Sequence, residues 1–498
     1  MRKFVTYLVM TKILVFAILL LIPVSDAIGG AKKVQESLLG RQSVGERSSR
    51  IAAITGEVLA RSEVRENLRV LCDEIGGRVS GTDEGKKARE FAERLFHRYG
   101  LANVHQEPFE MPGWERGPFL CEVTAPRRFV MHAVALANTP STPPDGVEAE
   151  VIDVGHGNPV ELDRLGDAVR GKFALAVAGA MPGGRWMHRY EVMAAVAEHG
   201  AAGLLYQTTH PGNLPMTGMC WKDGLSPIPG VGVSKEDGEW IQRSLHADQR
   251  IRVRIQMTNL TGTVTSANVV GEIPGRGSDF ILVGAHLDAW DLGQGAVDNG
   301  TGTVVIVEAA RALSRLDVQP EATIRFVLFM GEESGLCGSR AYVRTHEREL
   351  SCYRAMINCD MEGTPLGVRV MGHEEANQFF ADLITEMDAF DLTSGVSHRA
   401  GVYGDHLPFL LEGVPVISPI SRPEDDSWRY YHTTADTYDK VTYFKQLNLD
   451  AAFVAMLALE LASTPGRVME QLDEDGVKEL ISKNNIEEVI RYWGSDSE

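Results

Sequence analysis

The apolar run Ile324–Met330 reads as a strand buried on both faces, and it ends in Gly331 followed by two adjacent carboxylates, Glu332 and Glu333. Like charges side by side where a strand leaves the core repel each other and raise at least one pKa. The pattern recurs. His286 and Asp288 follow the apolar run 279–285, and Asp298 lies in the glycine-rich turn beyond it. Asp360 ends the run 354–360, and His432 lies past a later strand and an irregular loop. Two imidazoles and four or five carboxylates brought to one sheet edge are costly to bury without a counter-charge. A divalent cation supplies that charge. Imidazole together with carboxylate suits zinc better than cobalt or manganese.

Stepping outward, the elements from Asn268 onward alternate in type. Strand-like 279–285 leads to a helix over 301–316, and the run 322–330 leads to a helix over 339–349. Strand 354–360 is followed by helix 374–390, then a short helix and a strand within 404–421, then a helix over about 445–463. Such alternation predicts right-handed crossovers and an α/β fold, a mainly parallel mixed sheet flanked by helices. In these sheets the ligand crevice lies beyond the carboxyl ends of the strands, where the residues above fall. Upstream, 28–120 reads as mainly helical, with 66–75 and 84–100 at helical spacing. Residues from about 125 to 260 alternate short apolar runs with turns, a small α/β or β-rich unit of its own.

The motifs HLDAWD (286–291), VDNGTG (297–302), GEES (331–334), CDMEG (359–363) and YYHTTADT (430–437), in this order, resemble the co-catalytic zinc exopeptidases of the bacterial leucyl aminopeptidase family. The likeness is greatest to the carboxypeptidase Q branch of that family, through IGGRVSGT (75–82), PGWERG (112–117), STPPDGVEAEV (141–151) and the residues around 286–300. It implies a zinc peptidase fold with an inserted protease-associated domain at 125–262. Residues 28–124 would form the N-terminal part of the peptidase domain, 263–465 its catalytic part, and 466–498 an acidic helical tail. The resemblance further implies two zinc ions per chain, with Asp298 bridging them. His286 and Asp360 would complete one site, and Glu333 and His432 the other. Two metals about 3.5–4 Å apart share a water, lower its pKa and hold the oxyanion that follows attack. Glu332 would then take the proton of that water, and Asp288 would orient the His286 ring without binding metal. The family places a cis peptide bond at Asp298–Asn299. Asp405 and His406 match a pair that lines the substrate pocket in related enzymes; equally, Asp405 fits a helix N-cap. Asp436 can support His432 or cap a turn, and Trp290 reads as packing. The implied reaction is hydrolysis of dipeptides or short peptides. Two alternatives share the architecture: a glutaminyl cyclase-type acyltransferase and a non-catalytic, receptor-like binding protein.

Composition limits the partners. The chain has 498 residues with a net charge of −19, and no basic surface that would bind nucleic acid is evident. The acidic tail reads as a solvated helical face. Arg2 and Lys3 precede an apolar run, 13–24, and then Ser25 and Ala27 at the spacing of a signal-peptidase site. Residues 1–27 are therefore expected to be a signal peptide and the protein to be exported, with membrane attachment only if that leader stays uncleaved. Export permits disulfides among Cys72, Cys121, Cys220, Cys337, Cys352 and Cys359, whose wide spacing suits buried free thiols equally well. A homodimer is left open.

Overall fold

The computed structural model describes residues 45–180, 184–222, 224–424 and 427–493, so the expected leader lies outside the described residues. The chain divides into two units, Met1–Ala53 and Ile54–Glu498. In the first, the described residues are helical. All that follows concerns the second.

Fourteen strands form one twisted mixed sheet among the described residues. In chain order they are β1 (Ala102–Ala125), β2 (Phe129–Val130), β3 (Ala133–Ala135), β4 (Val147–Asp153), β5 (Phe173–Val177), β6 (Gly203–Gln207) and β7 (Gly230–Val233). Then come β8 (Arg252–Ile273), β9 (Phe280–His286), β10 (Thr323–Phe329), β11 (Tyr353–Asn358), β12 (Thr364–Val370), β13 (Gly395–Ser397) and β14 (Val416–Arg422). The central path β14-β11-β9-β10 is parallel throughout, with β8 and β12 antiparallel at its flanks. The apolar runs read as strands buried on both faces are these central strands, and Ile281, Leu282 and Val283 of β9 are all fully buried.

Helices cover the sheet, as expected. Leu282, Val327 and Met356 from three neighbouring strands pack with Tyr342 and Phe409, which belong to helices Cys337–Thr345 and His406–Leu411. Helices Thr301–Arg315 and Phe444–Ser463 pack on each other and on β9. Helix Phe444–Ser463 is apolar and long enough to cross a membrane, but 78% of its most apolar window is buried inside the protein, as befits a core helix.

One expectation is corrected. Residues 102–125 are not helical; they form β1, a 24-residue strand paired along its length with the 22-residue β8. Charged and proline residues give β1 no clean period of two, and pairing to a single long partner holds it in place. β1 ends at Ala125, where its pairing with β8 turns irregular between Val123 and Ala125, while β8 continues through residue 262. In the C-terminal helices Val477, Leu480 and Val489 are buried, while Glu470, Asp473, Glu474, Asp475, Glu487 and Glu488 are exposed. Within 125–262, β4-β5-β6-β7 are parallel and helices Arg189–Glu198 and Lys235–His246 accompany them, as the α/β reading of that stretch expects. All six cysteines are free thiols.

Candidate metal centre

The chemically able side chains sit at or in the loops beyond the carboxyl ends of parallel strands, where apolar runs hand the chain to solvent. His286 is the last residue of β9, level with Phe329 of β10. Gly331 turns the chain after β10 with φ +77°, a conformation that favours glycine, and Glu332 and Glu333 follow. Asp360 lies two residues beyond β11. His432, itself at φ +55°, arrives from the loop after β14.

These residues meet around Asp298. Its Oδ1 lies 3.2 Å from Nε2 of His286, and its Oδ2 lies 2.9 Å from Nε2 of His432. Asp360 Oδ1 is 3.4 Å from the same His286 nitrogen, and Glu333 Oε2 is 3.0 Å from the same His432 nitrogen. Two trios result, His286–Asp298–Asp360 and Asp298–Glu333–His432, each with ligand atoms close enough to hold one metal ion. Oε1 of Glu333 and Oδ1 of Asp360 are buried without a hydrogen-bond partner. Orphaned buried carboxylate oxygens beside imidazole nitrogens fit a divalent cation of the zinc type.

The supporting contacts refine the sequence reading. Nδ1 of His286 faces the main-chain carbonyl of Asp288 at 3.1 Å, while the Asp288 carboxylate is 3.7 Å away. So the backbone of Asp288 orients the ring, and its carboxylate instead accepts from the Glu332 amide at 3.3 Å. Asp436 supports Asp298 and not His432: its two oxygens accept from the amides of Val297 (2.7 Å) and Asp298 (3.1 Å). Asn299 donates to the Cys359 carbonyl and accepts from the amides of Gly302 and Met361, stitching the Asp298 turn to the turn that carries Asp360. The Asp298–Asn299 peptide bond is cis, as the resemblance implies. Trp290 is buried, packed edge-on 6.0 Å from the His432 ring.

Two arginines escaped the sequence reading. Arg78, fully buried, donates to the carbonyls of Leu287 (2.5 Å), Gln294 (2.6 Å) and Gly295 (2.8 Å), clamping the loop that leads to Asp298. Arg189 donates to the Met219 carbonyl and brings its guanidinium to 3.2 Å from Nδ1 of His432. The Thr217 carbonyl lies 3.4 Å from that Nδ1. The tautomer that leaves Nε2 free for a cation carries its proton on Nδ1, toward Thr217. His188, also unassigned from sequence, caps helix Arg189–Glu198 and lines the site.

Crowding shows in the electrostatics. Burial opposes a charge on His286, but Asp360, Asp288 and Asp298 outweigh it and hold its pKa well above the ordinary value. Burial pushes Glu332 well above the carboxylate range, Glu333 and Asp360 adding to it and His286 opposing.

The trios open on a cavity of about 740 Å³. Glu332, Glu333, Asp298, Asp360, His286 and His432 all line it, with Trp186, Tyr206, Tyr403 and Tyr431 supplying aromatic wall. His406 reaches the wall. Asp405 is buried and does not; it makes no side-chain cap at its helix, and burial pushes its carboxyl up to about 7.

Residues 268–457 match peptidase family M28. Carboxypeptidase Q of Mus musculus is 31% identical over 444 residues, spanning 86% of this chain and 92% of that protein. The chain belongs to peptidase family M28. It is a metallopeptidase, a hydrolase, and its substrates are peptides. Aminopeptidase YwaD of Bacillus subtilis (strain 168) is 28% identical over 75% of this chain and 78% of its own length. Among solved M28 structures, a peptidase M28 precursor from Shewanella amazonensis SB2B superposes with a TM-score of 0.77 at 25% identity, covering 86% of this chain and all of that one. A zinc aminopeptidase from Bacillus subtilis, 24% identical with a TM-score of 0.64 over 83% of this chain and 98% of its own, shares the fold.

Proposed function

We propose that the protein is an exported exopeptidase of the aminopeptidase or dipeptidase kind, using two zinc ions and Glu332 as general base. The observation that carries this reading is the division of one carboxylate between two histidines: Asp298 turns one oxygen to each. His286 and Asp360 would hold one zinc, Glu333 and His432 the other, with Asp298 shared. Bound zinc supplies electrophilic polarisation of the scissile carbonyl and a water acidic enough to attack at neutral pH.

The remaining work falls to the chain. Glu332, on the cavity wall beside the trios, receives the proton of the attacking water and returns it to the leaving amine. Its neighbour Glu333 diverges toward His432, so the adjacent pair divides between proton transfer and metal binding. The Asp288 carboxylate, accepting from the Glu332 amide, fixes the turn that aims the base. Crowded acidic groups near the metals favour a substrate's free amine. Residues 125–262 would act as the protease-associated insert, contributing Trp186, Arg189 and Tyr206 to the wall. A walled cavity of this size suits a dipeptide or the end of a short peptide.

The test is a panel of free and N-blocked dipeptides given to purified protein, before and after chelation. Hydrolysis confined to unblocked peptides, lost on chelation and restored by zinc, is the expected result. Formation of pyroglutamate from N-terminal glutamine without peptide cleavage would overturn it.

A further inference from the structure

One part of the cavity wall has a chemistry the metal centre does not use. Arg369 of β12 lies directly opposite Ser418 of β14 in the antiparallel ladder, so their side chains share a sheet face. Both line the same cavity as the metal ligands. The flanking Val368 and Val370 are fully buried on the other side of the strand, which fixes the face that Arg369 presents.

Neither side chain is satisfied. Nε of Arg369 and Oγ of Ser418 are both buried without a hydrogen-bond partner. Among the described residues no carboxylate pairs with Arg369. The groups acting on its charge are burial and the neighbouring Arg399, both unfavourable to it. A guanidinium stays protonated regardless, and a half-buried one whose Nε is buried without an acceptor favours an anion. The other arginine on the described wall, Arg189, already donates to the Met219 carbonyl and packs against the His432 ring.

The position is near the chemistry. The His406 ring, also on the wall, feels both Arg369 and Asp360, and its pKa falls to about 4 chiefly through burial. At Gly401 a β-carbon would lie 3.5 Å from Nε2 of His406 and 3.8 Å from Nη1 of Arg369, so the ring and the guanidinium flank one glycine.

We propose that Arg369, with Ser418, forms a subsite for the C-terminal α-carboxylate of a short peptide whose scissile bond lies at the metal centre. The inference rests on the peptidase reading and sharpens it: the protein is a dipeptidase by construction, because the guanidinium recognises a free carboxylate within the metal cavity. Two planar N–H donors and a hydroxyl suit that group, and a longer peptide would place a neutral amide there instead. Discrimination follows from the Arg369 charge left unpaired when the carboxylate is missing.

The experiment compares Leu-Ala with Leu-Ala amide on the zinc-loaded full-length protein, for wild type, Arg369→Met, Arg369→Lys and Ser418→Ala. Wild type should prefer the free dipeptide in kcat/KM by roughly tenfold or more, the worth of a charge-assisted hydrogen bond. Arg369→Met should abolish that preference by lowering Leu-Ala hydrolysis while leaving the amide little changed. Arg369→Lys should retain part of it, and Ser418→Ala should reduce it a few-fold even if the arginine variants fold poorly. Equal use of both substrates by wild type, or a parallel loss of both in Arg369→Met and Ser418→Ala, would overturn the subsite and leave the peptidase reading intact. Cleavage of neither substrate by wild type would overturn both.

Discussion

His286 and His432 each meet a different oxygen of Asp298, at 3.2 Å from one and 2.9 Å from the other. A carboxylate that meets two imidazoles in this way would serve two cations with one charge, and that economy would let so many acidic groups gather at one sheet edge. The supports of this arrangement are themselves buried: Asp436 beneath Asp298, Arg78 around the preceding loop, Thr217 and Arg189 behind His432.

Removing the base should separate chemistry from binding. Glu332→Gln keeps the volume of the side chain and lies outside both trios. Bound metal, measured by elemental analysis, should be unchanged while turnover falls by about a hundredfold or more. Near-normal turnover would end the assignment of Glu332.

Asp436 touches no proposed ligand atom, yet both its oxygens hold the main chain of Val297 and Asp298. Asp436→Asn leaves one acceptor in place of two. Zinc affinity, titrated with a competing chelator, should weaken roughly ten- to a hundredfold, the usual worth of a group that orients a ligand. Unchanged affinity would mean that the 297–298 turn holds its shape alone.

Arg78 offers a stability test. Arg78→Met strips three carbonyls, two of them in buried bonds, of their donor, and each orphaned acceptor is costly, so the loss should be about 3 kcal/mol by urea unfolding of the metal-free protein. A loss near zero would show that water replaces the guanidinium without penalty.

Far from the metals, His346 packs between Glu107 of β1 and Glu349, with Nε2 3.1 Å from a Glu107 oxygen and Nδ1 3.1 Å from Glu349. Burial disfavours its charge, but the two carboxylates outweigh that and raise its pKa above 6.5. A raised histidine stabilises the fold fully below its unfolded pKa, and the gain disappears as pH climbs through the folded value. The melting temperature of His346→Asn should therefore fall below wild type most at pH under about 6.5, with the gap narrowing at higher pH. A gap independent of pH would point to packing instead.

How much of this could be read from the residues follows from distance along the chain. His286, Glu333 and Asp360 stood out because they close or follow apolar runs that strand ends bring together, whereas Asp298 and His432, in loops further on, were assigned through the family resemblance. Glu332 was legible as the odd member of an adjacent pair. Arg78 was not, because its partners, Leu287 to Gly295, lie more than 200 residues away and are carbonyls that any sequence offers. Arg189 was hidden likewise, reaching His432 across 243 positions. That the Asp288 backbone carbonyl lies nearer the His286 ring than its carboxylate was not legible, because HxD spacing does not reveal which of the two turns toward the ring. β1 was missed because residues such as His105, Glu107, Pro108, Glu110 and Pro112 carry no strand period; its long antiparallel partner supplies what its own composition lacks.

The central claim is that one carboxylate serves two cations, and metal stoichiometry tests it most directly. Elemental analysis of the purified protein saturated with zinc should give two ions per chain, and Asp298→Asn should fall below two, since one trio loses its oxygen donor and the other keeps only a neutral amide oxygen. One ion in the wild type, or two retained in Asp298→Asn, would contradict the account.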